Sequence, residues 1–383
     1  MLRARGHQVT ALVENNDSIG GGWSSVRAAA SSVYSRPWRR RISAAIVRER
    51  PDVLHVHNFF PRISPSVYYA ARENGVPVVQ TLHNFRLLCP NGLLLRGDRP
   101  CIACLGKPLA WRGVIHGCYR GSRSGSAAVA AMLATHRVAG TWDTMVDAYI
   151  ALTEFGRRMF IAGGYPAERI VVKQNFVRDP GVGDGKGGYA LFVGRISMEK
   201  GVRTLLEAWQ RLAYPPLKIA GDGPLRLALQ REFRDLANVE WLGGRPAVEV
   251  ARLMGDACAL IIPSLYYEGM PLTLLESFAA GTPVIASDLG AMASMVENGR
   301  NGLRFESGDA DDLAAKVEWM WTHDSEWAAM RRAAREEFEE KYTEESNYPL
   351  LMATYELARR VRSTAERGVT GSLTCGCADD RRD

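Results

Sequence analysis

Short apolar runs alternate with longer helical patterns along this chain, and many of the runs are continuous Val/Ile/Leu stretches rather than alternating ones. Strands covered on both faces read this way, because neither face meets water. Such strands are predicted at residues 8–13, 53–57, 76–83, 148–153 and 170–173, and again at 189–194, 217–220, 239–242, 259–263, 283–287 and 302–305. The segments between them are long enough for crossover helices. The pattern therefore predicts βαβ repetition twice over, an α/β chain with two Rossmann-like domains. At 383 residues the chain exceeds one ordinary α/β core and suits two of similar size.

The stretch VRDPGVGDGKGG at 177–188 carries five Gly and one Pro without apolar periodicity and reads as a flexible connection. The expected organisation is a first domain over 1–176, this linker, a second domain over 189–345, a helix over 346–365 returning to the first domain, and a disordered tail over 366–383. The start is unusual. Residues 2–13, LRARGHQVTALV, read as a helix end, a Gly6 C-cap and then a strand, so the buried strand and Gly-rich turn that normally open a doubly wound domain are expected to be missing.

Composition narrows the class. With 46% hydrophobic and 23% charged residues the chain is globular. No apolar run reaches the roughly 18–20 residues that span a bilayer, and no secretion-signal core follows Met1, so a cytoplasmic protein is expected. Residues 1–176 hold 23 Lys/Arg against 10 Asp/Glu, or +13, whereas 177–383 hold 25 against 32, or −7. A basic first half suits an anionic partner: nucleic acid, a phosphorylated lipid carrier or the inner membrane face. Arg36, Arg39, Arg40 and Arg41 are its densest patch. No zinc-finger helix or RNA-binding sheet motif accompanies the charge, which sets nucleic acid aside.

Two stretches of the second half carry chemistry. In PSLYYEGMPLTLLESFAAGTPVIAS, residues 263–287, a buried strand gives way to a loop with Glu268, Gly269 and Pro271, and a helix begins near Leu272. Such a helix start attracts phosphate through its free N–H groups and dipole. Glu268 and Glu276 flank it, and either carboxylate can accept from sugar hydroxyls; a helix-start Glu can equally be a charge cap. In LFVGRISMEKG, residues 191–201, Arg195 and Lys200 follow a strand's carboxyl end, where ligands of open α/β sheets bind. Two cations there suit a diphosphate, although they also suit a solvated surface in which Glu199 pairs locally.

Taken with AGDGP at 220–224 and WLGG at 241–244, these blocks resemble the retaining glycosyltransferases of the GT-B fold, family four. The resemblance covers roughly residues 1–365 and is tightest in the second half. It implies two Rossmann-like domains facing across a cleft. It implies Arg195 and Lys200 on the diphosphate of a nucleotide-sugar donor, Glu268 on the donor sugar, backbone N–H groups of Gly269, Met270, Pro271 and Leu272 nearby, and Glu276 on the ribose. It places His83, within VVQTLHNFRLLCPNG, where the family commonly has a His that reaches the transferred sugar, with Asn84 and Arg86 at the cleft rim. His55 and His57 read as strand-end caps. The resemblance further implies a hexosyltransferase that retains anomeric configuration, needs no metal or other cofactor for catalysis, and serves a glycan or lipid-linked acceptor in surface polysaccharide assembly. The competing expectations are a truncated inactive homologue and a sugar-nucleotide epimerase of the same fold.

Two further features need separate readings. Cys89, Cys101, Cys104 and Cys118 lie within thirty residues, a spacing that fits a structural zinc site stapling an irregular insertion over 89–118; four reduced thiols, or His116 in place of one ligand, fit as well. The Asp309-Ala310-Asp311 triplet sits in GDADDLA, directly before a helical pattern, and reads as helix capping rather than a metal motif.

Overall fold

The structure, a computed structural model, describes residues 1–15 and 31–373; the Gly20–Gly22 run, Cys375 and Cys377 lie outside them. After a 3₁₀ turn at Arg3–Arg5, the first half contains helix α1 (Arg36–Glu49), β1 (Leu54–Val56), α2 (Ser66–Glu73) and β2 (Val78–Leu82). The cysteine-bearing excursion comes next, with β3 (Leu95–Arg96), β4 (Arg99–Pro100) and α3 (Trp111–Ile115). Helices α4 (Arg123–Val138) and α5 (Thr141–Thr144) lead to β5 (Ala148–Ala151), α6 (Glu154–Ala162) and β6 (Ile170–Val172). The four main strands form one parallel sheet in the order β1-β2-β5-β6, and β3 and β4 form a separate antiparallel hairpin.

The second half repeats the plan. It contains β7 (Ala190–Val193), α7 (Val202–Trp209), β8 (Leu217–Ala220), α8 (Arg226–Glu232), β9 (Val239–Gly243), α9 (Ala247–Asp256) and β10 (Ala259–Ile262). It continues with α10 (Leu272–Ala279), β11 (Val284–Ser287), α11 (Gly290–Met295), β12 (Gly302–Phe305), α12 (Ala310–Thr322) and α13 (Asp324–Lys341). Its sheet is parallel throughout, in the order β12-β11-β10-β7-β8-β9. All four residues of β10 and of β11 are buried, which is why these strands are apolar without alternation.

Helix α14 (Glu344–Leu373) joins the halves. Leu351 and Ala358 pack with Val79, Ala148 and Ile150 on one face of the first sheet, while Val78 and Leu82 face Trp38, Ile42 and Ile46 of α1 on the other. The period of two along β2 thus serves two cores. Each large side chain buried there contributes about 1.5–3 kcal/mol. Helix α14 runs to Leu373, into the stretch expected to be a tail from residue 366. Its backbone stays helical through two Gly, each at a cost of about 1 kcal/mol.

Residues 8–13 differ from the expected strand. They join no ladder among the described residues, and Val13 is 78% exposed, so no face of the run is buried enough to hold it in a sheet. Arg3 donates to the Val9 carbonyl, and Glu14 pairs with Arg62 at 2.7 Å. Gly6 does cap a short turn, at φ +83°.

The linker also departs from expectation. It has no regular structure, yet it is pinned: Asp179 holds Arg335, Gly183 N–H donates to Ala280 O, and Gly187 N–H donates to Asp256 O. A Cβ on Gly183 would lie 2.1 Å from the Gly255 carbonyl oxygen. This glycine permits close packing, and its use is not flexibility.

Candidate active site

The loops at the carboxyl ends of the strands converge, as open parallel sheets require. After β7 the chain passes Arg195, makes a 3₁₀ turn at Met198–Lys200 and reaches Gly201 at φ +67°. That left-handed backbone suits glycine, and a Cβ there would be 1.8 Å from the Pro263 carbonyl oxygen. The loop therefore lies flat on the one that follows β10, and Leu265 N–H donates to Glu199 O at 2.9 Å. Neighbouring turns lock to it: Ile196 N–H donates to Asp222 O, and Gly221 N–H donates to Gly243 O.

At this junction Lys200 Nζ donates to Glu268 Oε1 at 2.6 Å. Ser264 Oγ donates to the same oxygen at 2.7 Å, and Tyr266 OH donates to Oε2 at 2.5 Å. Glu268 is only 5% exposed, so its charge rests on these three donors. Burial and the Glu268 charge push the Tyr266 phenol well above its ordinary range, while the Arg195 cation opposes them. Arg195, Lys200 and Glu268 thus share one electrostatic neighbourhood around Tyr266. Glu199 accepts from Ser197 Oγ at 2.7 Å. It is not the partner of Lys200, which removes the solvated-surface reading of that lysine. Sequence reasoning found Lys200 and Glu268 separately and missed that they meet, along with Ser264 and Tyr266.

Helix α10 starts beside them with Pro271 as its N-cap and no side-chain cap. Pro271 has no N–H to offer, so it shapes the loop while Gly269, Met270 and Leu272 carry the N–H groups. The Met270 side chain is buried, and its sulfur accepts from Asn175 N–H at 3.2 Å. The Glu276 carboxylate has no hydrogen-bond or ion-pair partner among the described residues, and burial raises its pKa. An unpartnered carboxylate one turn into this helix is free to accept from hydroxyl groups.

The first domain closes over the site. A Cβ on Gly269 would stand 2.6 Å from the His83 carbonyl oxygen, so strand end β2 abuts the Glu268 loop. His83 Nε2 and His57 Nδ1 share a hydrogen bond of 2.9 Å, and their rings stack at 5.2 Å. His55 stacks on His57 at 4.3 Å and bonds Tyr355 OH and Thr81 Oγ1. Burial, His57 and Lys173 lower the His83 pKa to about 4, so its ring is neutral near pH 7. Lys173, whose Nζ donates to Gln174 O and Asn347 Oδ1, is itself lowered to about 8 by burial. The His57 partnership and Lys173 left no signal in the sequence beyond residue type. His57 is more than a strand cap.

This imidazole row sets a pH dependence. Burial lowers His55 to about 3 and His83 to about 4, both below the ordinary value of 6.5. Between about pH 6.5 and 4 the unfolded chain takes up protons that the folded chain refuses, so stability is lost as pH falls. From about pH 7 to 5, His55 contributes roughly 1–2 kcal/mol of that loss. Urea unfolding followed across this range is expected to show the decline. It is expected to flatten in His55→Gln, and an equal slope in that variant would refute the assignment.

The four clustered cysteines are all reduced, and their thiols lie near enough to act on one another electrostatically. Among the described residues no three His, Cys, Asp or Glu side chains are grouped so as to hold a metal ion. Cys89 is turned into the core, donates to Asn91 Oδ1 at 3.1 Å, and is pushed up to about 11 by burial. Packing also holds the excursion. Leu105 lies on the first core, Gly113 lies against Pro90, and Arg137 donates to Lys107 O. The Asp309 carboxylate accepts from Asp311 and Asp312 N–H groups and so caps α12.

Two parallel α/β domains whose strand-end loops face each other define the GT-B class. The comparisons agree. The family described as glycosyl transferases group 1 matches residues 174–337, and the glycosyl transferase 4-like domain matches residues 1–175. The chain belongs to the group 1 glycosyltransferases. It is 36% identical over 150 residues to a glycogen synthase of Mycobacterium tuberculosis, covering 37% of this chain and 36% of that protein. It is 31% identical over 159 residues to D-rhamnosyltransferase WbpZ of Pseudomonas aeruginosa, covering 40% and 42%. The match thus spans less than half the length of these curated relatives. Among solved structures, Anabaena HepE in complex with UDP aligns with a TM-score of 0.59 at 16% identity, over 86% of this chain and 82% of that one. A Rickettsia africae glycosyltransferase aligns at 0.63 and 15%, over 89% and 88%. Among the described residues no helix is long and apolar enough to cross a membrane.

Proposed function

We propose that this chain transfers a hexose from a nucleoside-diphosphate sugar to a glycan or lipid-linked acceptor, with retention of anomeric configuration, in the assembly of a surface polysaccharide. The observation that carries the reading is the Lys200–Glu268 pair, 2.6 Å apart beneath the strand-end loops and against the first domain. Cleaving a glycosyl phosphate bond builds positive charge at the anomeric carbon and negative charge on the departing diphosphate. Lys200 keeps further N–H donors for that diphosphate while one holds Glu268, and Arg195 adds a second cation. These side chains supply the charge that a divalent metal supplies elsewhere. Glu268 and neutral His83 hold the sugar's hydroxyl groups, and Glu276 holds the ribose. There is no carboxylate placed as a nucleophile in this scheme; the leaving phosphate takes the acceptor's proton on the same face. HepE, whose structures contain UDP and UDP-glucose, supports the donor class.

The test is thermal unfolding with uridine and guanosine diphosphates and their sugars. Ligand at a hundred times Kd stabilises by about 2.7 kcal/mol. One base is expected to raise the Tm, with the response lost in Lys200→Ala. No rise with any of them at millimolar concentration would overturn the proposal.

A further inference from the structure

We propose that the hollow beside the donor loop binds an anionic acceptor, one carrying a phosphate or carboxylate group, and that Arg96 and Arg120 recognise that charge. This rests on the donor assignment above, since the hollow is defined by its position next to Lys200. It has a volume of about 510 Å³ and lies between the cysteine-bearing excursion and the second domain, where Met198 and Glu199 form one wall. Three guanidinium groups line it, those of Arg86, Arg96 and Arg120.

None of the three has a carboxylate partner among the described residues. Arg86 is committed to structure: it donates to Pro90 O and lies 5.0 and 5.2 Å from the ring centres of Phe60 and Tyr119. Its charge remains in the wall without a counter-ion. Burial lowers its pKa, and the nearby Arg120 cation lowers it further. Among the described residues the Arg96 side chain, at the tip of the β3–β4 hairpin, donates only to His116 Nε2, at 3.1 Å. Arg120 lies against the Tyr119 ring and has φ +53°, a left-handed backbone that is unfavourable for a non-glycine residue. The turn holds this arginine in an unfavourable conformation at the lip of the hollow. The one acidic side chain in the lining, Glu199, already accepts from Ser197.

A second basic hollow, lined by Arg36, Arg39 and Arg40, is different. There Arg39 is held by Glu73, which neutralises part of the dense Arg36–Arg41 patch. Unpaired like charges in a half-enclosed space repel one another, and a bound oxyanion relieves that repulsion. Guanidinium forks match phosphate and carboxylate bidentately. A neutral sugar would draw on the aromatic rings and amides of the hollow but would leave its charge unanswered. The excursion therefore delivers charge to the acceptor side of the cleft, a use that its cysteines do not reveal.

The experiment uses the full chain with its donor site saturated by whichever of UDP or GDP raises the Tm. Four probes are titrated at low salt by calorimetry: farnesyl phosphate, farnesol, glucuronate and glucose. At least one anionic probe is expected to bind tenfold or more tightly than its neutral counterpart. That preference is expected to fall at least tenfold in Arg96→Gln/Arg120→Gln and to persist in Arg36→Gln/Arg40→Gln. Preference for farnesyl phosphate identifies a phosphate-linked acceptor, and preference for glucuronate identifies an acidic glycan; either supports the hollow. No anionic preference, or an unchanged one in the Arg96/Arg120 variant, overturns it. If neither nucleotide binds but anion affinity still depends on Arg96 and Arg120, the donor assignment fails and the hollow stands.

Discussion

Lys200→Ala and Glu268→Ala are each expected to lose about 10²–10³-fold or more in turnover of a nucleotide sugar while remaining folded. The physical reason is the pair itself. Lys200 is partly exposed and Glu268 almost wholly buried, with side-chain exposures of 26% and 6%. Without the ammonium, Glu268 keeps Ser264 and Tyr266 as donors, so the fold survives. What disappears is the ammonium that the proposed mechanism directs at the departing diphosphate. Without the carboxylate, Lys200 and Tyr266 remain but lose the acceptor that orients them, and the sugar loses its hydrogen-bond partner. The check is steady-state donor hydrolysis or transfer, beside a thermal melt of each variant. If both turned over donor at the unmodified rate, the site would have to be sought elsewhere.

Arg362→Ala is expected to cost about 3–5 kcal/mol of unfolding free energy, the largest stability effect anticipated for one side chain outside the apolar cores. Arg362 and Asp147 meet at 2.8 Å with side-chain exposures of 3% and 2%. Asp147 Oδ2 also accepts from Val78 N–H at 2.8 Å, so the pair anchors α14 to β2 and to the residue before β5. The Asp147 pKa is nevertheless raised, because burial outweighs the nearby Arg362 cation. Arg362 Nε, moreover, has no hydrogen-bond partner among the described residues. The pair is therefore costly to break and only modestly better than an apolar contact. The double variant Arg362→Met/Asp147→Asn is expected to recover much of the loss. Urea midpoints for the single and double variants decide this. A change within about 1 kcal/mol for Arg362→Ala would refute the anchoring role.

Much of the architecture was legible in the sequence because parallel strands buried on both faces leave an unambiguous apolar signature. Every expected strand from 53–57 onward corresponds to a strand in the structure. The failures share a cause. Residues 8–13 carry strand-like side chains, but a strand exists only where a neighbour supplies a ladder, and propensity cannot report that. The linker's glycines looked like freedom because composition cannot distinguish a Gly needed for flexibility from one needed for contact, as at Gly183 against Gly255.

Sequence alone determined the class of fold and the kinds of groups at the site, since periodicity and the blocks around Arg195, Lys200, Glu268 and Glu276 are local properties. Which of those groups touch depends on how the folded chain brings distant segments together. The tertiary structure joined Lys200 to Glu268 across 68 residues, set His57 on His83 across 26, and brought Arg362 to Asp147 across 215. Contacts at such separations depend on the order of strands in the sheets and on close packing at a few glycines. Neither is written in any single stretch of chain.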